Sequence, residues 1–210
     1  MAKKKHLKLE YTIVLFVLLG FLLLVMPLSL ESNKQATFIS KWNENYNRIE
    51  YMFSVINAHI TDDMLLSMKK ADTPHKREQI LLTIIKPYLR INTENSPKNY
   101  RPRYVNGQKI DKTDLYYFSD FYYANHKTII GIKDLQSESK NDAFFIMMID
   151  INGKMPPNRW GKDIFGINIY DEGKIEPFGQ SFEMPMVASD CSERGVYCSY
   201  YYKIGGGFDD

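Results

Sequence analysis

The first thirty residues divide into a basic stretch and an uncharged apolar run. Four lysines stand among the first eight positions, and the run YTIVLFVLLGFLLLVMPLSL then extends from Tyr11 to Leu30 without a charge. Twenty helical residues rise about 30 Å, which matches the hydrocarbon thickness of a bilayer, and a helix pairs its own backbone groups in lipid. The pattern predicts a basic cytoplasmic leader over residues 1–10 and a transmembrane helix over residues 11–30.

Two other interpretations of the apolar run compete with a membrane anchor. A cleaved secretory signal peptide also has a basic start and an apolar core, but its core is normally shorter. The segment from Met26 to Ser32 offers only a poor small-x-small cleavage site. A buried core helix is rarely apolar on every face over this length. We therefore expect a retained anchor, with the lysines on the cytoplasmic side and the rest of the chain outside the membrane.

Two helical patterns follow the apolar run, and together they predict an extracytoplasmic helical segment over residues 31–90. No Gly or Pro interrupts residues 28–71, so the first helix can continue from the membrane segment, with Pro27 kinking it. The second is predicted from about Thr73 to Arg90, with Pro87 as its candidate end. The first helix has one apolar face with spacings of three and four residues, formed by Phe38, Trp42, Tyr46, Ile49, Phe53, Ile56 and Ile60.

The last part of the chain, residues 91–210, predicts a sheet. It begins as a polar loop with two prolines and then becomes rich in aromatic and β-branched residues. Asp171-Glu172-Gly173 is a turn signal that predicts a hairpin. Helices followed by strands predict an α+β fold, in which a meandering antiparallel sheet packs on the long N-terminal helix with an extra helix between them. The candidate strands are residues 115–118, 128–133, 143–150, 165–170, 174–177 and 197–204.

Charge and the distribution of reactive residues argue against several classes of function. The chain has 27 Lys and Arg against 25 Asp and Glu, so its overall charge does not indicate a nucleic-acid partner. The four histidines are scattered, without metal-ligand spacing and without a neighbouring Ser or Cys nucleophile. No acid–base pair emerges either, so we expect no catalytic residue, no metal centre and no enzymatic activity.

Glu10 stands at the start of the apolar run, seventeen residues before Pro27. It is either the polar boundary of a membrane helix or an acid that needs a cationic partner, because an unpaired acid at the lipid edge is costly. The segment KHLKLEYTIVLFVLLGFLLLVMP resembles the N-terminal segment of type IV pilins and type II secretion pseudopilins, where the same Glu-to-Pro spacing occurs. That family has a Gly before its cleavage point and a methylated Phe after it, and Lys5 and His6 stand at those places here.

The resemblance implies a single-pass protein of the bacterial cytoplasmic membrane that acts by assembly. It implies partners of the same kind, either copies of this chain or other pilin-like subunits, which associate through the N-terminal helix. Glu10 would then pair with the N-terminal amine of a neighbour and set the axial register. The alternative is a non-polymerising, signal-anchored binding or receptor domain on the same scaffold, which the missing Gly at the position of Lys5 favours.

A second resemblance lies between Phe144 and Gly179. This segment, FFIMMIDINGKMPPNRWGKDIFGINIYDEGKIEPFG, is similar to sheet segments of many pilin-like proteins of uncultured bacteria. In those proteins a strand ending in Asp-x-Asn-Gly precedes Pro-Asn-x-x-Gly-x-Asp-x-Phe. The matching positions are Asp150, Asn152, Gly153, Pro157, Asn158, Gly161, Asp163 and Phe165. The two resemblances at opposite ends of the chain imply the same pilin-like architecture.

The oxygens of Asp150, Asn152, Asn158 and Asp163 admit two interpretations. Asn and Gly tolerate positive φ, so Asn152-Gly153 is typical of a tight turn with Asx capping. The same oxygens are also ligands of the kind that calcium takes, although the loop lacks the spacing of an EF-hand and its twelfth-position Glu. We expect a structural turn, keep a weak calcium site as the alternative, and expect no other cofactor.

Cys191 and Cys198 are the only cysteines, and six residues separate them. Outside the membrane the compartment is oxidising, so a close pair predicts a disulfide. A zinc site would need two more ligands, and no histidine lies nearby in the sequence. The position of the pair near the end of the chain resembles that of the disulfide-bounded loop of pilins.

Overall fold

The computed structural model describes residues 2–59, 71, 73–125, 127–136, 142–170 and 173–207, and it describes only the backbone at residues 2–10 and 22–32. The chain divides into two units, residues 1–37 and residues 38–210. Helix α1 (Ala2–His59) begins in the first unit and ends in the second.

The first unit is helical, and its described side chains at residues 11–21 are all exposed. Among the residues whose side chains are described, no helix is both long enough and apolar enough to cross a bilayer. The predicted transmembrane segment, residues 11–30, includes side chains at 22–30 that lie outside the described part. It therefore stays a prediction. The large exposed apolar residues are Tyr11, Ile13, Val14, Leu15, Phe16, Val17, Leu18, Leu19 and Phe21.

In the second unit, α1 presents the predicted apolar face to the core. The helix predicted over residues 38–60 is confirmed as far as His59, and Ile60 lies outside the described residues. The spacing of three and four residues brings these side chains onto one face of the helix, where they pack against the sheet. The buried residues of α1 are Trp42, Tyr46, Ile49, Met52, Phe53 and Ile56.

Helix α2 (Pro74–Leu89) confirms the second predicted helix. It begins at a side-chain cap, since Thr73 Oγ1 accepts a hydrogen bond from Lys76 N at 3.3 Å. Pro87 lies inside the last turn, and the helix ends two residues later, where Arg90 adopts φ 48°. The chain reverses there in the left-handed conformation that often ends helices.

Five antiparallel strands form one meandering sheet in the order β1-β2-β3-β4-β5. Four of the candidate strands are confirmed as β2 to β5, and the hairpin expected between the last two is present as the β4–β5 pairing, although Asp171 and Glu172 of its turn lie outside the described residues. The strand β1 was not predicted, and Asn92 N donates to Tyr123 O at 2.9 Å along its outer side. The strands are β1 (Tyr122–Ala124), β2 (Thr128–Asp134), β3 (Phe145–Asp150), β4 (Ile164–Ile169) and β5 (Ile175–Pro177).

Both faces of the sheet are covered, which explains why all six residues of β3 are buried. Alternate side chains of a strand point to opposite faces, so Met147 and Ile149 pack with α1 and α2, whereas Ile146 and Met148 pack on the other side. That other side is covered by irregular chain and two short helices. The α+β class with an antiparallel sheet is therefore confirmed.

Two strand predictions are wrong. Residues 115–118 are irregular, because Asp114 Oδ1 accepts a hydrogen bond from Tyr116 N and forms a local turn. Their buried aromatic side chains cover the sheet instead of extending it. Residues 197–204 contain helix α4 (Cys198–Lys203), in which the buried Cys198 and Tyr202 are four residues apart on one face. Helix α3 (Met184–Glu193), which precedes it, was not predicted.

Candidate functional site

The loop between β3 and β4 brings the four predicted oxygen-bearing residues together. Asp150 ends β3, Asp163 precedes β4, and both side chains are completely buried, with 0% of their surface exposed. Asn152 is 8% exposed, and Asn158 lies at the edge of the loop. Because antiparallel neighbours meet at the same end of the sheet, Asp150 pairs with Ile164 and the two acids become neighbours.

Asp150 is held by two hydrogen-bond donors from different parts of the chain. Tyr100 Oη donates to Asp150 Oδ2 at 2.6 Å, and Asn152 N donates to Asp150 Oδ1 at 3.1 Å. Tyr100 comes from the irregular chain between α2 and β1. The sequence did not reveal it, because an isolated tyrosine in a polar loop carries no pattern that marks a partner.

Asp163 is held by the backbone of the loop. Asn158 N donates to Asp163 Oδ2 at 2.8 Å, and Arg159 N donates to Asp163 Oδ1 at 2.7 Å. Asn158 reaches this position with φ 50°, a left-handed conformation that asparagine tolerates. Asp163 thus binds the backbone of the loop from its far end, whereas the local Asx-type hydrogen bond of this loop runs from Asn152 N to Asp150 Oδ1.

The side-chain amide of Asn158 lies among three oxygens. With its nitrogen turned inward, it donates to Asp150 Oδ2 at 3.1 Å, Gly153 O at 2.8 Å and Met155 O at 3.3 Å. With its oxygen turned inward, its nitrogen donates to Lys154 O at 3.4 Å. An inward oxygen would face only acceptors, so the orientation with the inward nitrogen is the one that gives the amide its hydrogen bonds.

The electrostatics of the two buried acids are unusual. Burial raises the pKa of both Asp150 and Asp163, and the charge of Asp163 raises the pKa of Asp150 further. Among the described residues, no lysine, arginine or histidine forms an ion pair with either carboxylate. The hydrogen bonds described above act in the opposite direction by favouring the charged forms.

Two glycines of the sequence motif allow the loop to pack closely. A Cβ on Gly153 would lie 2.1 Å from the carbonyl oxygen of Lys127, in the turn before β2. A Cβ on Gly161 would lie 2.7 Å from Cys198 Sγ and 2.9 Å from Gly195. Both glycines have positive φ, 68° and 73° respectively. Glycine is therefore favoured at both positions by the backbone conformation as well as by the lack of room for a side chain.

The predicted disulfide between Cys191 and Cys198 is present. It joins the end of α3 to the start of α4, and its sulfur at Cys198 lies against the Gly161 turn. Directly before Cys191, Asp190 Oδ2 accepts a hydrogen bond from Tyr197 N, the residue before Cys198, at 2.7 Å. The disulfide thus joins the two short helices at the point where they pack against the loop between β3 and β4.

A separate cleft opens on the face of the sheet that is opposite to α1. Its volume is about 300 Å³, and aromatic side chains form much of its wall. The ring of Phe182 stacks on Tyr197 with centroids 4.7 Å apart, and Asn168 adds a polar group from β4. No local sequence pattern indicates this cleft, because its walls come from segments that are far apart in sequence.

The remaining predicted site residues, Glu10 and Pro27, both lie within the backbone span of α1, and their side chains are outside the described part. Among the described residues, no three His, Cys, Asp or Glu side chains are grouped closely enough to hold a metal ion. No protein-family model matches the chain, and no curated protein or solved structure shows detectable similarity to it.

Proposed function

We propose that this chain is a membrane-anchored, pilin-like or pseudopilin-like subunit that acts by assembly in a type IV pilus or a type II secretion-type system. The observation that carries the proposal is the exposed apolar surface of α1 from Tyr11 to Phe21. Seven consecutive large apolar side chains, at residues 13–19, go fully around the helix, and Phe16 and Val17 are 70% and 67% exposed. A surface of this kind is unfavourable in water, so it is expected to be buried in lipid or against other helices.

Three further features support assembly over simple anchoring. The uncharged run continues in the sequence to Leu30, and Glu10 and Pro27 have the spacing found in pilins. The later part of the same helix packs on an antiparallel sheet. A disulfide lies near the end of the described chain, at Cys191 and Cys198. Within the proposal, the first half of α1 holds the subunit in the membrane and later packs against the same segment of other subunits.

Site-directed cross-linking in membranes tests the proposal. The only two cysteines of the chain are paired with each other, so a single introduced cysteine reacts alone. Val14→Cys and Phe16→Cys place thiols on nearly opposite sides of α1, since successive residues are rotated by about 100°. Tyr51→Cys is the matched control, because Tyr51 is 71% exposed on the same helix beyond the apolar run. We expect membrane-bound protein and a ladder of cross-linked multimers from one of the two faces, but none from Tyr51→Cys.

Glu10→Ala provides the second arm of this test. If Glu10 sets the axial register by pairing with a neighbouring amine, its loss should abolish the ladder while the protein stays in the membrane fraction. An unchanged ladder would remove the register role. Protein that remains monomeric at every position would contradict assembly, and protein in the soluble fraction would contradict the anchor.

The second candidate function is a non-polymerising, signal-anchored binding domain. The observation that favours it is the aromatic cleft of about 300 Å³ next to Phe182 and Tyr197, which is open to solvent and distinct from the apolar surface of α1. This candidate predicts membrane-bound monomers in the cross-linking experiment. The two candidates therefore give different results with the same variants.

A further inference from the structure

Two irregular segments of the second unit carry basic residues and no acidic ones. Residues 96–110, between α2 and β1, contain four Lys or Arg, and residues 151–162, in the loop between β3 and β4, contain three. The segments lie side by side, because Arg103 N donates to Asn158 O at 3.1 Å and Trp160 N donates to Arg103 O at 2.9 Å. The basic residues, none of them buried, are Lys98, Arg101, Arg103, Lys109, Lys154, Arg159 and Lys162.

Backbone pairing places three of these basic side chains next to each other. Arg103 pairs with Lys109 in an antiparallel bridge and with Arg159 in a parallel bridge. Residues that are directly opposite each other in such pairs project their side chains to the same side. Arg103, Lys109 and Arg159 therefore form one basic surface.

The two guanidinium groups of this surface are held at the same residue, Gly107. Arg103 Nη1 donates to Gly107 O at 2.9 Å, and a Cβ added to Gly107 would lie 3.5 Å from Arg159 Nη2. Arg159 Nη1 donates to Val105 O at 3.2 Å, which fixes the second group.

No carboxylate neutralises these two charges within the described part of the chain. Neither arginine forms an ion pair there, and Asp163 binds the backbone N–H of Arg159 instead of its guanidinium. Like charges held close together repel each other. Each guanidinium has five N–H donors, so both retain donors for a ligand. The arrangement therefore favours an anion that both arginines can reach.

The basic surface lies at the end of the second unit at which α1 enters it. Strand β4 begins beside Trp42, whose ring stacks on Phe165, and Arg159 lies in the loop just before this strand. The hairpin at the other end of β4 lies beside a later part of α1, since a Cβ added to Gly173 would be 3.4 Å from Asn57 Cβ. In the sequence, the exposed apolar run of α1 precedes the end of the unit that carries the basic surface.

We infer that Arg103 and Arg159, with Lys109 beside them, bind the phosphate groups of anionic phospholipids. A planar guanidinium binds phosphate through two parallel hydrogen bonds, and basic residues next to a membrane segment are attracted to anionic lipids. The choice of a lipid rests on the membrane anchor of the proposed function, because α1 connects the apolar run to this end of the unit. A nucleic acid is disfavoured, since the net charge of the whole chain is only +2.

Fluorescence quenching of the full-length chain on lipid vesicles tests the inference. Met155→Cys accepts a single fluorophore in the loop between β3 and β4, because Met155 is 56% exposed and the two native cysteines are paired with each other. The vesicles contain phosphatidylcholine alone or an equal mixture with phosphatidylglycerol, each with a nitroxide-headgroup lipid as quencher. We expect strong quenching in the mixture and weak quenching in phosphatidylcholine alone. A fluorophore at Tyr51→Cys, which is 71% exposed farther along α1, should respond equally to both.

Two variants and a matched control assign the effect to the two arginines. Arg103→Gln and Arg159→Gln each remove one charge but keep an N–H donor for the neighbouring carbonyl. Each should reduce the ratio of lipid-bound to unbound loop, obtained from the quenching, by about fivefold, which is the contribution of one basic residue near an anionic membrane. Arg48→Gln makes the same change on the exposed side of α1, where Arg48 lies 3.7 Å from Glu44, and should respond like the wild type.

The outcomes separate the lipid site from the membrane anchor. Equal quenching of the Met155 fluorophore in both kinds of vesicle would overturn the inference and leave the anchor intact. A chain that does not stay with phosphatidylcholine vesicles would contradict the anchor, whereas its binding to the mixture, weakened in Arg103→Gln, would still support the lipid site.

Two further results would also overturn the inference. Quenching that is unchanged in both arginine variants would place the lipid contact elsewhere on the protein. A fluorophore that responds to a short DNA duplex but not to phosphatidylglycerol would identify a nucleic acid as the ligand. If Arg159→Gln does not fold, as judged by circular dichroism, Arg103→Gln decides the question, because Arg103 is exposed.

Discussion

Trp42 Nε1 donates a hydrogen bond to the backbone oxygen of Ser199 at 2.9 Å, across 157 positions of the sequence. The indole ring also stacks on Phe165 of β4, with centroids 4.8 Å apart. Ser199 completes the junction, because its Oγ accepts a hydrogen bond from Gly166 N at 2.9 Å. Helix α1, strand β4 and helix α4 therefore meet at one buried point.

Replacing Trp42 with Phe should lower the free energy of unfolding by about 2–4 kcal/mol. The variant loses part of the ring volume and leaves the buried carbonyl of Ser199 without its donor. Trp160→Phe is the matched control, since Trp160 is equally buried but its Nε1 has no partner among the described residues. Urea unfolding followed by circular dichroism gives both values. Equal losses for the two variants would show that the hydrogen bond of Trp42 adds nothing to the packing.

Replacing Gly161 with Ala should destabilise the fold by at least about 2 kcal/mol. The new Cβ would meet Cys198 Sγ and the backbone of Gly195, and alanine is strained at φ 73°. Gly205→Ala is the control, because Gly205 has φ 100° but nothing lies within 4 Å of its added Cβ. Gly205→Ala should lose only the part of the free energy of unfolding that comes from placing alanine at a positive φ. The difference between the two variants in urea unfolding measures the close contact, and a difference of zero would mean that the Gly161 turn relaxes freely.

Replacing both Cys191 and Cys198 with Ala should lower the free energy of unfolding by about 2–3 kcal/mol. The cross-link closes a short loop and so reduces the entropy of the unfolded chain by about this amount. Reduction of the wild-type protein by dithiothreitol should give a similar loss without changing either side chain's carbon atoms. A variant as stable as the oxidised protein would indicate that the contacts of α3 and α4 alone hold this region.

Stability should fall steeply above pH 10, and Tyr46 should contribute to the fall. Burial raises the pKa of the Tyr46 phenol to about 12, and the charges of Glu50 and Glu176 act in the same direction. An unfolded tyrosine loses its proton near pH 10. Between pH 10 and 12 the unfolded state has therefore lost a proton that the folded state keeps, and stability decreases by up to about 1.4 kcal/mol per pH unit for this group.

Tyr46→Phe isolates this contribution, because the other tyrosines titrate in both proteins. Lys203 Nζ lies 4.4 Å from the centre of the Tyr46 ring, and a phenylalanine ring retains that contact. Urea unfolding at pH 9, 10, 11 and 12 should show a shallower loss for the variant than for the wild type. Parallel curves would mean that Tyr46 releases its proton equally in the folded and unfolded chains.

The sequence predicted the parts of the fold that have a clear period. The face of α1 from Trp42 to Ile56 repeats every three or four residues, and the buried run of β3 is continuous, so both were found. Residues 197–204 were assigned to a strand because three consecutive tyrosines are typical of strands. Tertiary contacts decided otherwise, since the buried Cys198, Ser199 and Tyr202 require helical spacing.

The sequence predicted which residues come together in the loop between β3 and β4, but not how deeply they are buried or which distant residues contact them. The spacing of Asp150, Asn152, Asn158 and Asp163 marked a turn with clustered oxygens. Full burial of both acids and the hydrogen bond from Tyr100 depend on how distant segments cover the loop, and no local pattern encodes that. For the same reason, the sequence alone gave no sign that the two carboxylates lack a basic partner.

The two borders of the sheet limit how copies of this protein can associate. The outermost strands, Tyr122–Ala124 and Ile175–Pro177, are only three residues long. Asn92 already bonds to the outer side of the first, and Pro177 has no N–H to offer at the end of the second. Short and obstructed borders are poor templates for an added strand, so growth of the sheet from one molecule into the next is disfavoured. Any ordered polymer of this protein is therefore expected to be joined by its helices, and each sheet should contain strands of one molecule alone.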